Sequence, residues 1–310
     1  MLALSLTLFA FGLTPAPFDE AERRAVAYLE AEVPRWSVEN HCTSCHNNGD
    51  GARALYRAIR AGVSIRPDAL AATGAWLARP GEWEAAGKPA GGSSDPVLAR
   101  VEFTLALAAS VEVGRKSARP ALVEAADRLA RDQEADGSWP VEDGGSIGGP
   151  ATYGRPLATG LAVKTLREAD PKRHAVVIDR GMAYLRVRPA MNVVESAALL
   201  MAEPMTIRTE AGRRARRFLL DATAKEGGWG PYRISATEPF DTALALIALA
   251  PERADPEVAA ALDRGRAALV ASQLADGSWP ETTRPAGGES YAERVSTAGW
   301  ATIALFDARK

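Results

Sequence analysis

The chain has 310 residues, enough for about two domains of ~150 residues or one large one. Apolar residues make up 47% and charged residues 25%, a globular composition that excludes a disordered chain. The 37 Lys and Arg residues nearly balance 39 Asp and Glu; the net charge of -2 gives no basis for a nucleic-acid partner, and two Cys residues exclude a disulfide-stapled scaffold.

Leu2 to Leu13 form one apolar run, too short for the ~20 residues of a membrane span. Thr14-Pro15-Ala16 follows with the small-x-small pattern of a cleavage site, then the acidic pair Asp19-Glu20. Residues 1–16 therefore read as a secretory signal peptide, although no Lys or Arg precedes the run. The expected location is periplasmic or otherwise extracytoplasmic. No later segment is long and apolar enough to span a membrane.

Residues 17–64 form the next unit. Arg23 to Trp36 predicts a helix with Val26, Leu29, Val33 and Trp36 on one stripe, Asn40 to Gly51 a polar loop, and Ala52 to Ala61 a second helix. The loop carries Cys42-Thr43-Ser44-Cys45-His46. C-x-x-C-H is the attachment signature of haem c. Two residues between the thiols put both sulfurs on one side of a turn, in reach of the haem vinyl groups, and the adjacent histidine lies under the iron. Cys42 and Cys45 are thus the expected thioether donors and His46 the expected iron ligand. The alternatives are a small disulfide, a thioredoxin-type redox pair, and a zinc site using His41, Cys42, Cys45 and His46. No methionine follows His46 before Met182, so the iron is expected to be five-coordinate or to take a ligand such as His174, Met182, Met191 or Met205. An open iron position would suit sensing or peroxide chemistry over simple electron transfer.

Residues 65–310 carry an internal repeat. Leu129 to Pro140 and Leu269 to Pro280 share L-x-x-x-Q-x-x-D-G-S-W-P, and Leu219 with Glu226-Gly227-Gly228-Trp229 is a weaker copy. Trp83 marks a more degenerate one, and the spacing is roughly 50 residues. In each copy an amphipathic helix runs to the glutamine, as with Leu122, Ala125, Ala126 and Leu129. A tight Asp-Gly turn and a packing tryptophan follow. The second helix then opens on small residues: Thr159-Gly160-Leu161-Ala162, Thr242-Ala243-Leu244-Ala245, Thr297-Ala298-Gly299-Trp300-Ala301. No segment alternates as a strand would, so the fold class is all-α.

Q-x-x-D-G-S-W resembles the repeat signature of squalene and hopene cyclases and of prenyltransferase β subunits. The resemblance covers roughly residues 65 to 308 and implies an α/α toroid of inner and outer helices. It implies a known chemistry less directly. In the cyclases the proton donor is the middle Asp of D-x-D-D-T-A; Glu238-Pro239-Phe240-Asp241-Thr242-Ala243 places Phe240 at that position. Asp241 is expected to be a helix N-cap. The prenyltransferase zinc site needs Asp, Cys and His in the later repeats, where this chain has no Cys and only His174. Trp36 to Gly62 is similar to the start of exported bacterial proteins that join C-x-S-C-H to such repeats. The basic cluster Arg213-Arg214-Ala215-Arg216-Arg217 reads as a solvated outer face, and His174 as exposed.

The sequence thus points to an exported, haem-bearing toroid with a redox or sensing role and no cyclase activity, served by a redox partner protein. The alternatives are a non-catalytic toroid that binds an isoprenoid or hopanoid lipid or a protein partner, and a divergent terpenoid-acting enzyme whose acid the sequence does not identify.

Overall fold

A computed structural model describes residues 19–41, 43–83, 96–141, 154–189, 191–203, 208–281 and 290–309. The segment read as a signal peptide and Cys42 lie outside the described residues. Among the described residues the secondary structure is helical, without a strand.

Twelve α-helices among the described residues alternate between two rings. The outer helices are α1 (Glu20–Asn40), α3 (Pro67–Leu77), α5 (Arg119–Arg131), α7 (Ala175–Val187), α9 (Glu210–Asp221) and α11 (Pro256–Ser272). The inner helices are α2 (Ala52–Arg60), α4 (Pro96–Glu112), α6 (Gly154–Ala169), α8 (Val193–Ala202), α10 (Pro239–Leu249) and α12 (Tyr291–Asp307). Each inner helix packs on the next, and α12 packs back on α2, so the inner ring closes. The inner helices are buried nearly all round and the outer ones on one stripe, which is what two concentric layers require. Small residues permit the close approach: a Cβ on Gly160 of α6 would lie 2.5 Å from the Ala198 carbonyl oxygen of α8.

The repeat turn shows how neighbouring pairs are coupled. Asp136 accepts hydrogen bonds from the Ser138 N–H and hydroxyl, and Gly137 takes a φ of 92°, where a side chain is strained. These bonds from Ser138 hold the Asp136 carboxyl below the usual carboxylate range. Gln133 Nε2 then donates to the Val177 carbonyl of the following outer helix. Trp139 is fully buried, and its indole N–H donates to the Leu129 carbonyl at 2.8 Å. Trp229 and Trp279 repeat that bond to Leu219 and Leu269. Thr159 and Thr242, near the starts of their inner helices, accept the backbone N–H of Trp139 and Trp229.

The last repeat makes the same contacts with the first helix of the chain. Gln273 Nε2 donates to the Ala21 carbonyl of α1 at 2.9 Å, as Gln133 does to α7. Gly277 stacks on the Arg24 backbone as Gly137 stacks on that of Arg180. At the N-cap of α1, Asp19 and Glu22 form a capping box, and Arg266 of α11 binds both carboxylates. Residues 19–61 thus take the first place in a ring of six helix pairs.

Three local expectations change. Cys45–Gly51 is a buried π-helical turn continuous with α2, not a polar loop. His174 is only 4% exposed, with Nε2 3.5 Å from Asp127. The α10 N-cap is Glu238, not Asp241, because Pro239 lacks an N–H and fits the first helical position; Asp241 lies inside the first turn, fully buried. The basic cluster on α9 does face outward, with Arg213, Arg214 and Arg217 exposed; Arg216 pairs with Glu252 and Asp255, and Arg217 with Glu257.

Candidate functional site

Two places in the toroid hold chemistry. The first is the Cys45–Gly51 turn, which packs against α1, α4 and α12. It stands between an outer and an inner helix, where later pairs carry their Asp-Gly-Ser-Trp turn. Its polar side chains are tied down from several directions. Asn48 Oδ1 accepts the Ser44 N–H, and Asn48 Nδ2 donates to Thr73 Oγ1, both at 2.8 Å. Asn47 Nδ2 donates to the Glu32 carbonyl and to the Tyr291 hydroxyl. Asp50 accepts the Ser296 hydroxyl at 2.6 Å and faces Arg53 at 3.5 Å.

Within this frame the sequence motif is brought together with a residue the sequence did not flag. Cys45 is partly buried and His46 is 7% exposed. Glu102, on inner helix α4, is 1% exposed. Cys45 Sγ, a ring nitrogen of His46 and a carboxylate oxygen of Glu102 all lie within 4.8 Å of one another. Glycine makes the approach possible: a Cβ on Gly49 would lie 2.8 Å from Glu102 Cβ. Burial, reinforced by the carboxylates of Glu102 and Asp50, pushes the Cys45 thiol well up. Burial pushes His46 down despite Asp50, so the imidazole is neutral near pH 7. Neutral imidazole is the form that binds metals.

The haem expectation meets a geometric obstacle here. A c-type haem holds its sulfurs at the porphyrin edge and its imidazole on the central axis, so sulfur and ligating nitrogen stand apart by the ring's radius. Cys45 Sγ and His46 Nε2 are 3.5 Å apart. As arranged, the described residues do not fit a porphyrin. The candidate distal ligands are also misplaced: His174 and Met182 belong to the α7 pair, opposite the first pair in the ring. Met191 lies in the link before α8, and Met205 lies outside the described residues.

The second place is a central cavity of about 540 Å³ at the C-terminal ends of the inner helices. All six inner helices contribute to its wall. Leu105, Leu161, Leu200, Met201 and Ile247 make it apolar, and Trp300 closes one side with the Arg53 guanidinium 3.9 Å from its ring centroid. Ion pairs Arg57–Asp307 at 2.5 Å, Arg60–Glu112 at 2.8 Å and Lys164–Glu168 add charge to the lining. Burial raises the Asp307 carboxyl even against Arg57. Phe240, which the motif resemblance aligns with the cyclase proton donor, is fully buried with its ring 5.9 Å from Trp300 in an edge-on contact.

No family model and no curated protein matches this chain. Solved structures do. A variant of the type II terpene cyclase MstE from Scytonema, in complex with geranylgeranyl dihydroxybenzoate, matches with a TM-score of 0.61 at 13% identity, over 93% of this chain and 97% of that one. The apo form of MstE matches with a TM-score of 0.58 at 13% identity, over 94% and 99%. A possible member of the GH105 family from Salmonella enterica matches with a TM-score of 0.53 at 9% identity, over 99% and 98%. The chain therefore has the α/α toroid fold of the terpene cyclases. The fold is shared across different chemistries and does not choose among them. No helix among the described residues is long and apolar enough to cross a membrane.

Proposed function

We propose that this chain is an exported, non-cyclising α/α toroid that holds an amphipathic ligand of the isoprenoid class in its central cavity. The cavity carries the proposal. Its volume falls in the ~300–1,000 Å³ range of small-molecule sites, and an apolar wall joined by seven charged side chains, six of them in ion pairs with one another, suits a chain bearing a polar head. The MstE complex supports the ligand class, since its bound substrate joins an isoprenoid chain to an acidic ring. Phe240 supports the absence of cyclisation: a phenyl ring has no proton to give at the position where the cyclases start their reaction. The signal-like N-terminus supports export.

Binding tests this. A fluorescent geranylgeranyl probe should bind the purified full chain saturably. Ala109 lines the cavity, so Ala109→Trp should fill it and weaken binding by more than about tenfold with helical content unchanged. Equal binding by wild type and variant would refute the cavity as the site.

A second reading is covalent haem c on Cys42 and Cys45 with His46 on the iron, in a redox or sensing role with a redox partner. The C-x-x-C-H spacing supports it. It requires the Cys45–Gly51 turn to open so that the imidazole can leave the Cys45 sulfur.

A further inference from the structure

We propose that Cys45, His46 and Glu102 form a binding site for one divalent metal ion of the zinc class. The site is independent of the cavity reading and stands on its own geometry. The three donor atoms already cluster within 4.8 Å. A tetrahedral zinc with sulfur at about 2.3 Å and nitrogen at about 2.0 Å holds those two donors about 3.5 Å apart. Cys45 Sγ and His46 Nε2 have that separation.

The state of the imidazole is the second observation. His46 is 93% buried, being 7% exposed, and its Nδ1 has no hydrogen-bond partner among the described residues. Nε2 faces the Cys45 sulfur, on the side of the ring that a metal shared with Cys45 would occupy. The rest of the turn is differently occupied. Asn47, Asn48 and Asp50 each reach a neighbouring helix or the link beside it, which fixes the backbone that presents Cys45 and His46.

On metal binding the Cys45 S–H loses its proton to solvent and a sulfur–metal bond forms. The thiolate and the Glu102 carboxylate together balance a dication, so the set is neutral in a buried place where net charge is costly. The donor mixture of one thiolate, one imidazole and one carboxylate matches zinc and excludes calcium and magnesium, which take oxygen ligands. Such an ion would clamp the first inner turn to α4 and so tie the first helix pair to the second.

Cobalt(II) is the probe. The reduced full chain, titrated without oxygen, should take up one equivalent. It should develop a thiolate-to-cobalt charge-transfer band in the near ultraviolet with the intense visible bands of four-coordinate cobalt, and zinc should displace it. Cys45→Ser should abolish the charge-transfer band. Glu102→Gln, nearly isosteric, should keep the band while weakening affinity on the order of 10- to 100-fold, and His46→Gln should weaken it at least as much. Circular dichroism of each variant confirms that the ring is folded. The proposal is overturned if folded, reduced wild type shows no such band. It is equally overturned if Glu102→Gln and His46→Gln leave the titration unchanged, or if protein from its own cell envelope carries covalent haem at this motif.

Discussion

Trp279→Ala is expected to destabilise the protein by about 3–5 kcal/mol, among the largest losses open to any single side chain here. Trp279 is fully buried, and its indole N–H donates to the Leu269 carbonyl at 2.8 Å. Truncation leaves a void in a close-packed ring and removes one of two donors to the Leu269 carbonyl, which keeps the Ser272 hydroxyl. The position matters as much as the area. Gln273 and Gly277 of the same turn bind α1, so the void opens at the joint where the last repeat meets the first helix. Denaturant unfolding followed by circular dichroism should show the midpoint fall, with a thermal midpoint lower by roughly 5–8 °C. Trp83→Ala is the comparison. Trp83 is 9% exposed, and its indole bond to the Trp76 carbonyl is 3.4 Å long, so its loss should be smaller. Equal losses at the two positions would contradict the closed ring.

Gly277→Ala should cost about 2–5 kcal/mol although it adds one methyl group. Two effects contribute. The residue has a φ of 91°, a left-handed conformation that costs an L-residue about 1–2 kcal/mol. The added Cβ would also lie 2.2 Å from the Arg24 carbonyl oxygen on α1, and because that neighbour is backbone, relief requires the helix to move, at about 1–3 kcal/mol. Gly114→Ala separates the two. Gly114 has a φ of 89° but nothing within 4 Å of where a methyl group would sit, so only the conformational cost applies. The difference between the two variants in chemical denaturation measures the steric cost of closing the ring. If the variants lose the same stability, α1 does not pack where the structure puts it.

These joints show what the sequence could and could not reveal. The shared L-x-x-x-Q-x-x-D-G-S-W-P stretches predict the helix pairs, because Asp-Gly turns and buried indoles have strong local requirements. The same logic fails for the first pair. There the turn is built from Asn47, Asn48 and Asp50, whose partners Thr73, Tyr291 and Ser296 are distant in sequence. Nothing local announces that this polar stretch is buried or helical. The site divides along the same line. Cys45 and His46 stand out by spacing. Glu102 does not, because no short-range pattern ties α4 to the motif. Its one signal is a carboxylate inside the apolar run Val101-Glu102-Phe103-Thr104-Leu105, where a charge needs a reason to be buried. Phe240 is legible from the motif alone, whereas the N-cap of α10 falls at Glu238, ahead of Asp241, because Pro239 sets the first helical position.

Mass spectrometry of the protein taken from its own cell envelope, sprayed first under native and then under denaturing conditions, separates a reversibly held lipid from a covalent haem. An amphipathic ligand of isoprenoid mass should be retained in the native spectrum and lost on denaturation, leaving the bare polypeptide. A haem-mass adduct that survives denaturation on the Cys42–His46 peptide, or a native spectrum without any ligand, would contradict the proposed function.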